Sequence, residues 1–239
     1  MRSDDAMRAV VVGAGGLGGP IAIALAGGGV DVVIVDADVV ELSNLHRQVQ
    51  FGMADLRMPK AIALAARIGP TARGVVGRFD PTTADELLRE ADLVVDGSDD
   101  PPTKFLVADS ARARGIPYVI ASALRYGGNV FASARDAACY RCLFEDAPAR
   151  DEAPTCGDSG VLGPLVGWVG GVAAERALRL MVGDSHGAAN VAATIWVLDD
   201  LRRGRPRELA IARRPGCVCD GAPTRDRADP AAPAPTGGA

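Results

Sequence analysis

Aromatic side chains are scarce in this 239-residue chain: phenylalanine, tryptophan and tyrosine together make up 4% of it, and histidine occurs twice. A large aromatic core is therefore not expected. The 48% hydrophobic content can fill a core, and a composition dominated by alanine, glycine and valine suits helices packed closely on a sheet. An excess of positive charge is missing too. A net charge of −4 and a pI near 5.3 leave no nucleic-acid footprint, so any basic residue that matters acts locally, at a phosphate. Long apolar runs are also lacking. The most apolar stretch, 161–182, is interrupted by Pro164, Glu175, Arg176 and Arg179, and reads as a buried helix, not a membrane span. Residues 1–7 are polar and charged, unlike a signal peptide, so the expectation is a cytoplasmic protein without a membrane partner. In that compartment five cysteines favour metal or reactive chemistry over a disulfide framework. No internal repeat is present.

What is there alternates. Short β-branched runs at 9–13, 32–36, 74–79, 93–96 and 118–121 predict strands, with helices at 18–26, 84–90 and 103–114. A polar helical stretch spans 44–68, broken by Gly52 and Pro59. Strands alternating with helices predict an α/β fold: a Rossmann-like, doubly wound, mostly parallel sheet with ligands at the strands' C-terminal ends. Beyond residue 120 the pattern changes. Runs at 129–134 and 194–198 predict antiparallel additions, with the 161–182 helix between them and a loop at 146–155. One domain is expected over 1–221, followed at 222–239 by a disordered Pro/Ala-rich tail.

The first strand runs into Gly13-Ala14-Gly15-Gly16-Leu17-Gly18, a G-x-G-x-x-G loop that opens a helix. Glycines at 13, 15, 16 and 18 permit a tight turn and close backbone approach, and the helix start offers amides to phosphate oxygens. Asp36 ends the second strand, 18 residues past the last glycine, where an acid accepts hydrogen bonds from ribose. That constellation usually means a dinucleotide such as NAD; the plainer alternative is a tight turn with no ligand. The next segment argues against NAD. Asn44 and Arg47 are three apart, so on a helix they share one face, and Lys60 follows Pro59 at a second helix start. A guanidinium and an ammonium suit the several charges of a triphosphate, whereas hydride transfer needs neither. Taken singly, each would read as a solvated surface charge.

In order and spacing, Gly-Ala-Gly-Gly-Leu-Gly, Asp-x-Asp-x-Val at 36–40, Leu-Ser-Asn-Leu-x-Arg-Gln at 42–48, Pro-Lys at 59–60 and Val-Asp-Gly-Ser-Asp at 95–99 form one set. Cys-Tyr-Arg-Cys at 139–142 and Gly-Val-Leu-Gly-Pro-Leu-Val-Gly at 160–167 complete it. With this set the chain resembles the ThiF/MoeB/HesA adenylyltransferases, relatives of ubiquitin-activating enzymes, over about residues 8 to 221. The resemblance implies that Asp36 binds the ribose of ATP, that Asn44, Arg47 and Lys60 hold its phosphates, and that Gln48 belongs to the same shell. It implies that Asp99 carries Mg²⁺, a hard cation suited to carboxylate and phosphate oxygens. Asp100 stands where the family usually has asparagine. The alternative for Asp99 and Asp100 is an acidic cap on the following helix.

Cys139 and Cys142 form a C-x-x-C pair, and Cys217 and Cys219 a C-x-C pair after 74 intervening residues. Four thiolates so grouped predict a tetrahedral structural Zn²⁺. A redox pair or an unmetallated remnant is the alternative, and the second pair is one residue shorter than the family's usual spacing. By resemblance, Cys156 sits where some members take over the activated carrier as a thioester or acyl-disulfide; otherwise it is a loop cysteine without chemistry. Cys156-Gly157-Asp158-Ser159-Gly160 echoes the nucleophile motif of trypsin-like proteases, but an α/β chain whose only histidines are His46 and His186 excludes that reading.

The resemblance implies adenylylation: the C-terminal glycine carboxylate of a ubiquitin-like or sulfur-carrier protein ending in Gly-Gly attacks the α-phosphorus of ATP and releases pyrophosphate. It also implies a homodimer and, since no rhodanese-like segment is present, a separate sulfur donor. The family's Arg-x-x-Arg-Gln run ahead of the first strand has no match in residues 1–8. Three alternatives stay open: the same chemistry on a peptide or tRNA-borne carboxylate, a non-catalytic ATP-binding scaffold, and an NAD-dependent oxidoreductase.

Overall fold

Val10, Val11 and Val12 are buried on both sides of one strand, and that two-sided burial sets the architecture. In the computed structural model, which describes residues 6–148, 160–183 and 191–220, β1 (Arg8–Val12) lies inside an eight-stranded sheet. The other strands are β2 (Asp31–Asp36), β3 (Ala72–Val76), β4 (Leu93–Asp96), β5 (Tyr118–Leu124), β6 (Gly127–Ser133), β7 (Thr194–Leu198) and β8 (Arg207–Ala210). Their order is β3-β2-β1-β4-β5-β6-β7-β8. The first five run parallel, with Val10 opposite both Val33 and Val94, and the last three join antiparallel. The doubly wound sheet with antiparallel C-terminal strands is as expected.

Side chains alternate between two cores. On one face Val11, Ile34 and Val95 pack under α1 (Gly18–Gly27), α2 (Lys60–Ile68) and the long helix α6 (Gly163–Val182). On the other, Val10, Val33 and Val94 meet α3 (Ala84–Leu87), α4 (Pro101–Arg114) and α5 (Tyr140–Leu143). The few aromatics are gathered rather than dispersed. Phe105, Tyr118, Phe131, Tyr140 and Phe144 form a chain of ring contacts with centroids 5.0 to 6.1 Å apart.

Two expectations need correction, and one strand was not expected. The third strand is Ala72–Val76, not 74–79, because it pairs with β2 from Val32 to Asp36 and ends where β2 ends. The 44–68 stretch is helical only from Lys60; before it lie two short 3₁₀ turns, Leu42–Asn44 and Met53–Asp55, with Gly52 extended at the start of the second. The edge strand β8 gives no sequence signal, because all four of its residues are exposed and polar or small apart from Leu209. Among the described residues no helix is long and apolar enough to cross a membrane. The tail at 222–239, most of the 146–155 loop, His186 and Cys156 lie outside the described residues.

Candidate active site

At the C-terminal end of β1 the chain turns sharply because Gly13 takes φ +90°, a region that favours glycine. Gly18 completes the turn: a Cβ there would collide with the Gly13 carbonyl, so the loop closes on itself as α1 begins. The Ala14 amide donates to Asp36 Oδ2 at 2.7 Å, and Asp38 N donates to Oδ1 at 2.7 Å. Burial raises the Asp36 pKa against those two amides and the nearby Lys60 ammonium, so further donors to this carboxylate would be stabilising.

The 3₁₀ turn at Leu42–Asn44 brings the cations to this loop. Arg47 Nη2 donates to Asn44 Oδ1 at 2.7 Å, and its Nη1 lies 2.9 Å from His46 Nε2. Gln48 is buried alongside, and its Oε1 has no partner among the described residues. Lys60 opens α2, tied back to the β2 exit twice: its N–H donates to Asp38 O at 2.9 Å, and Nζ donates to Asp38 Oδ2 at 2.9 Å. Lys60 is buried while Asp38 is open, so the ammonium is held in place at the floor of the cleft.

The loop after β4 faces the glycine loop. Asp96, fully buried, accepts from Lys104 Nζ at 2.7 Å and from Ser98 Oγ at 2.7 Å. Lys104 also donates to the carbonyls of Ser98 (2.7 Å) and Ala121 (2.8 Å), so one ammonium ties α4 to β4, its exit loop and β5. Asp100 caps α4, accepting from Thr103 N at 3.1 Å and Thr103 Oγ1 at 2.7 Å. Asp99 is not a cap: it is exposed, lines the cleft and has no partner among the described residues. A carboxylate in that position is a hard oxygen donor that fits Mg²⁺.

These residues line one cleft of about 1410 Å³. Gly13, Gly15, Gly16, Asp36, Asn44, Arg47, Gln48, Lys60 and Asp99 stand at one end. The other end runs over the antiparallel part of the sheet, past Ala123, Gly127, Gly128, Asn129, Leu198 and Asp199. Gly18 is the exception among the expected residues: it shapes the loop but does not line the cleft.

The four cysteines converge at the far side of the aromatic cluster. Cys139, Cys142, Cys217 and Cys219 have all sulfurs within 4.8 Å of one another, with Cys139–Cys217 at 3.6 Å and Cys142–Cys219 at 3.3 Å. Zn–S bonds of about 2.3 Å place tetrahedral sulfurs about 3.8 Å apart, so the set fits a metal. Burial pushes the Cys139 thiol up; at Cys217 burial is outweighed by hydrogen bonds from the Cys219 amide and the neighbouring thiols, which bring it down to about 7. Held as thiolates, the four would need a divalent cation to offset their charge.

The ThiF family model matches residues 4–219, nearly the whole of the described chain. The chain belongs to the ThiF family. Relatives of this ThiF-family protein are named as adenylyltransferases. It is 38% identical over 229 residues to the sulfur carrier protein adenylyltransferase of Thermus thermophilus, covering 90% of this chain and 83% of the relative. The SAMP-activating enzyme E1 of Haloferax volcanii is 42% identical over 185 residues, covering 75% of this chain and 68% of that one. Other matched relatives are longer, and the chain spans about half their length. Among solved structures, the E. coli MccB crystal structure with SeMet MccA has the same fold, with a TM-score of 0.76 at 17% identity over 90% of this chain and 67% of that one.

Of the residues that the sequence singles out, the fold of this ThiF-family chain brings together Asp36, Asn44, Arg47, Gln48, Lys60 and Asp99. Cys156 lies outside the described residues. Three contributors escaped the sequence: Asp38, the partner of Lys60; Lys104, which holds the Asp99 loop; and Gln50, whose Nε2 reaches the glycine loop. Asp38 had a signal in the Asp-x-Asp spacing; Lys104 and Gln50 had none.

Proposed function

We propose that the chain catalyses ATP-dependent adenylylation of the C-terminal glycine carboxylate of a sulfur-carrier or ubiquitin-like protein. The observation that carries this reading is the single cleft joining the glycine loop, Arg47, Lys60 and Asp99 to a groove over β5, β6 and β7. Glycine and small residues along that groove leave room for an extended Gly-Gly tail. The carboxylate oxygen attacks the α-phosphorus, an O–P bond forms, the bond to the β-phosphate oxygen breaks, and pyrophosphate leaves. Arg47 and Lys60 neutralise the charge developing on the phosphates, Asn44 orients Arg47, and Gln48 lies in the same shell. Asp36 receives the ribose hydroxyls. Asp99 would hold Mg²⁺, which supplies charge neutralisation to the leaving pyrophosphate. No protein nucleophile takes part in this step; positioning carries it.

The four cysteines would hold a structural Zn²⁺, favoured by reduced thiols in the cytoplasm. Cys156 is assigned the later transfer, its thiolate attacking the acyl adenylate with loss of AMP; the sulfur then comes from a separate donor. Leu42, Val49 and Met53, all more than 60% exposed around the nucleotide end, support a homodimer.

The test is ATP–pyrophosphate exchange with Mg²⁺, with and without a Gly-Gly-ending carrier. Exchange that depends on the carrier and falls by about 10²–10³-fold in Arg47→Ala is expected. ATP binding with no exchange under any carrier would overturn the assignment in favour of a scaffold.

A further inference from the structure

Gln50 is buried, 3% exposed, two residues beyond the last position of the Asn-Leu-x-Arg-Gln block. Its Nε2 donates at 2.9 Å to Ala14 O and at 2.9 Å to Gly15 O. Only the NH₂ end of the carboxamide can face two carbonyls, which fixes the orientation of the amide. Its Oε1 is buried without a donor among the described residues. Gly19 is shaped to this side chain: a Cβ there would collide with the Gln50 carboxamide.

A buried acceptor without a donor costs stability, and an apolar side chain of similar length would avoid that cost. What the amide adds is direction. In a trans peptide the C=O and the next N–H point opposite ways. The Ala14 carbonyl shares a peptide with the Gly15 amide, and the Gly15 carbonyl shares one with the Gly16 amide. Tying the Ala14 carbonyl to Gln50 turns the Gly15 amide away from it. The Gly15 carbonyl, which also accepts from Gly19 N at 2.9 Å, is held by Gln50 and the start of α1 together and turns the Gly16 amide the same way, and both glycines line the cleft. The Ala14 amide is already occupied by Asp36, so the phosphate-facing donors left in the loop begin at Gly15.

We infer that Gln50 is a positioning residue for the nucleotide, holding the Gly15 and Gly16 amides toward the phosphates with Gly19 making room for it. This rests on the nucleotide reading of the site. The test compares binding of ATP and of adenosine, by calorimetry, to the full chain and to Gln50→Met and Gln50→Glu across a pH series. In Gln50→Met, ATP should bind about tenfold more weakly while adenosine, lacking phosphates, is unchanged. In Gln50→Glu a carboxylate faces two carbonyls, so ATP affinity relative to wild type should be lowest at neutral pH. It should recover as the acid protonates and regains a donor. Equal losses for ATP and adenosine, unchanged ATP affinity in Gln50→Met, or no pH recovery in Gln50→Glu would overturn the proposal. If Gln50→Met does not fold, the pH series in Gln50→Glu decides within one protein. If the wild type binds no ATP, the nucleotide reading fails by itself. Residual dipolar couplings of the Gly15 and Gly16 amides in wild type and variant then decide: reorientation supports positioning, and identical orientation overturns it.

Discussion

Arg47 Nη2 donates to Asn44 Oδ1 at 2.7 Å, three residues back along the same turn, so a rotamer-rich cation is fixed at the mouth of the glycine loop. Removing the charge and removing its support should differ in size. Arg47→Ala is expected to lower carrier-dependent exchange by about 10²–10³-fold, the scale of losing one preorganised transition-state donor. Asn44→Ala should cost about tenfold through a loosened Arg47, with the kcat effect exceeding the KM effect. Equal, small losses in both variants would mean that the pair is only structural.

Asp99 and Asp100 are neighbours with opposite fates. Asp100→Ala removes the cap of α4 and should cost about 1 kcal/mol of stability with exchange intact. Asp99→Ala should leave the melting temperature unchanged and weaken Mg²⁺-dependent activity by about two orders of magnitude. Thermal unfolding and a Mg²⁺ titration of exchange read the two effects separately; a reversed pattern would exchange the roles.

The cysteine cluster should bring about one zinc per chain, found by elemental analysis of protein purified without added metal. Cys217→Ser, which removes a buried ligand, should lose the metal and lower the melting temperature by several degrees or more. A metal-free wild type that melts identically with and without chelator would favour an unmetallated remnant.

Glu208 on β8 accepts from Arg176 Nη1 at 2.9 Å, and that hydrogen bond, followed by the charge of the same arginine, holds its carboxyl below the ordinary value of 4.5. A depressed acid stabilises the fold fully above its unfolded pKa and loses that contribution as pH falls through the folded one. The melting-temperature gap between wild type and Glu208→Gln should therefore be widest near neutral pH and close below 4.5. A gap that does not change with pH would show that Arg176 is held by Thr194 alone.

Much of the nucleotide end was legible because its signals are local. The glycine spacing fixes a turn, the acid at the end of β2 follows from strand length, and the Asn44–Arg47 spacing fixes a shared face. Lys104 and Gln50 were not legible. Lys104 meets Ala121 O across 17 residues and Gln50 meets Ala14 O across 36, and neither distance has a periodicity to announce it. β8 was hidden because an exposed edge strand with no buried face shows no alternation.

The sequence by itself determined the local signals: β-branched runs for the buried parallel strands of the centre, a glycine turn, and cysteines in close pairs. Local sterics and the burial period act over a few residues, and so they can be read there. Tertiary structure alone decided which elements meet. Placing β4 beside β1 sets the Asp99 loop against the glycine loop, and folding the chain end back sets Cys217 and Cys219 against Cys139 and Cys142. Those approaches follow from covering both faces of one sheet, a condition on the whole chain that no short segment contains.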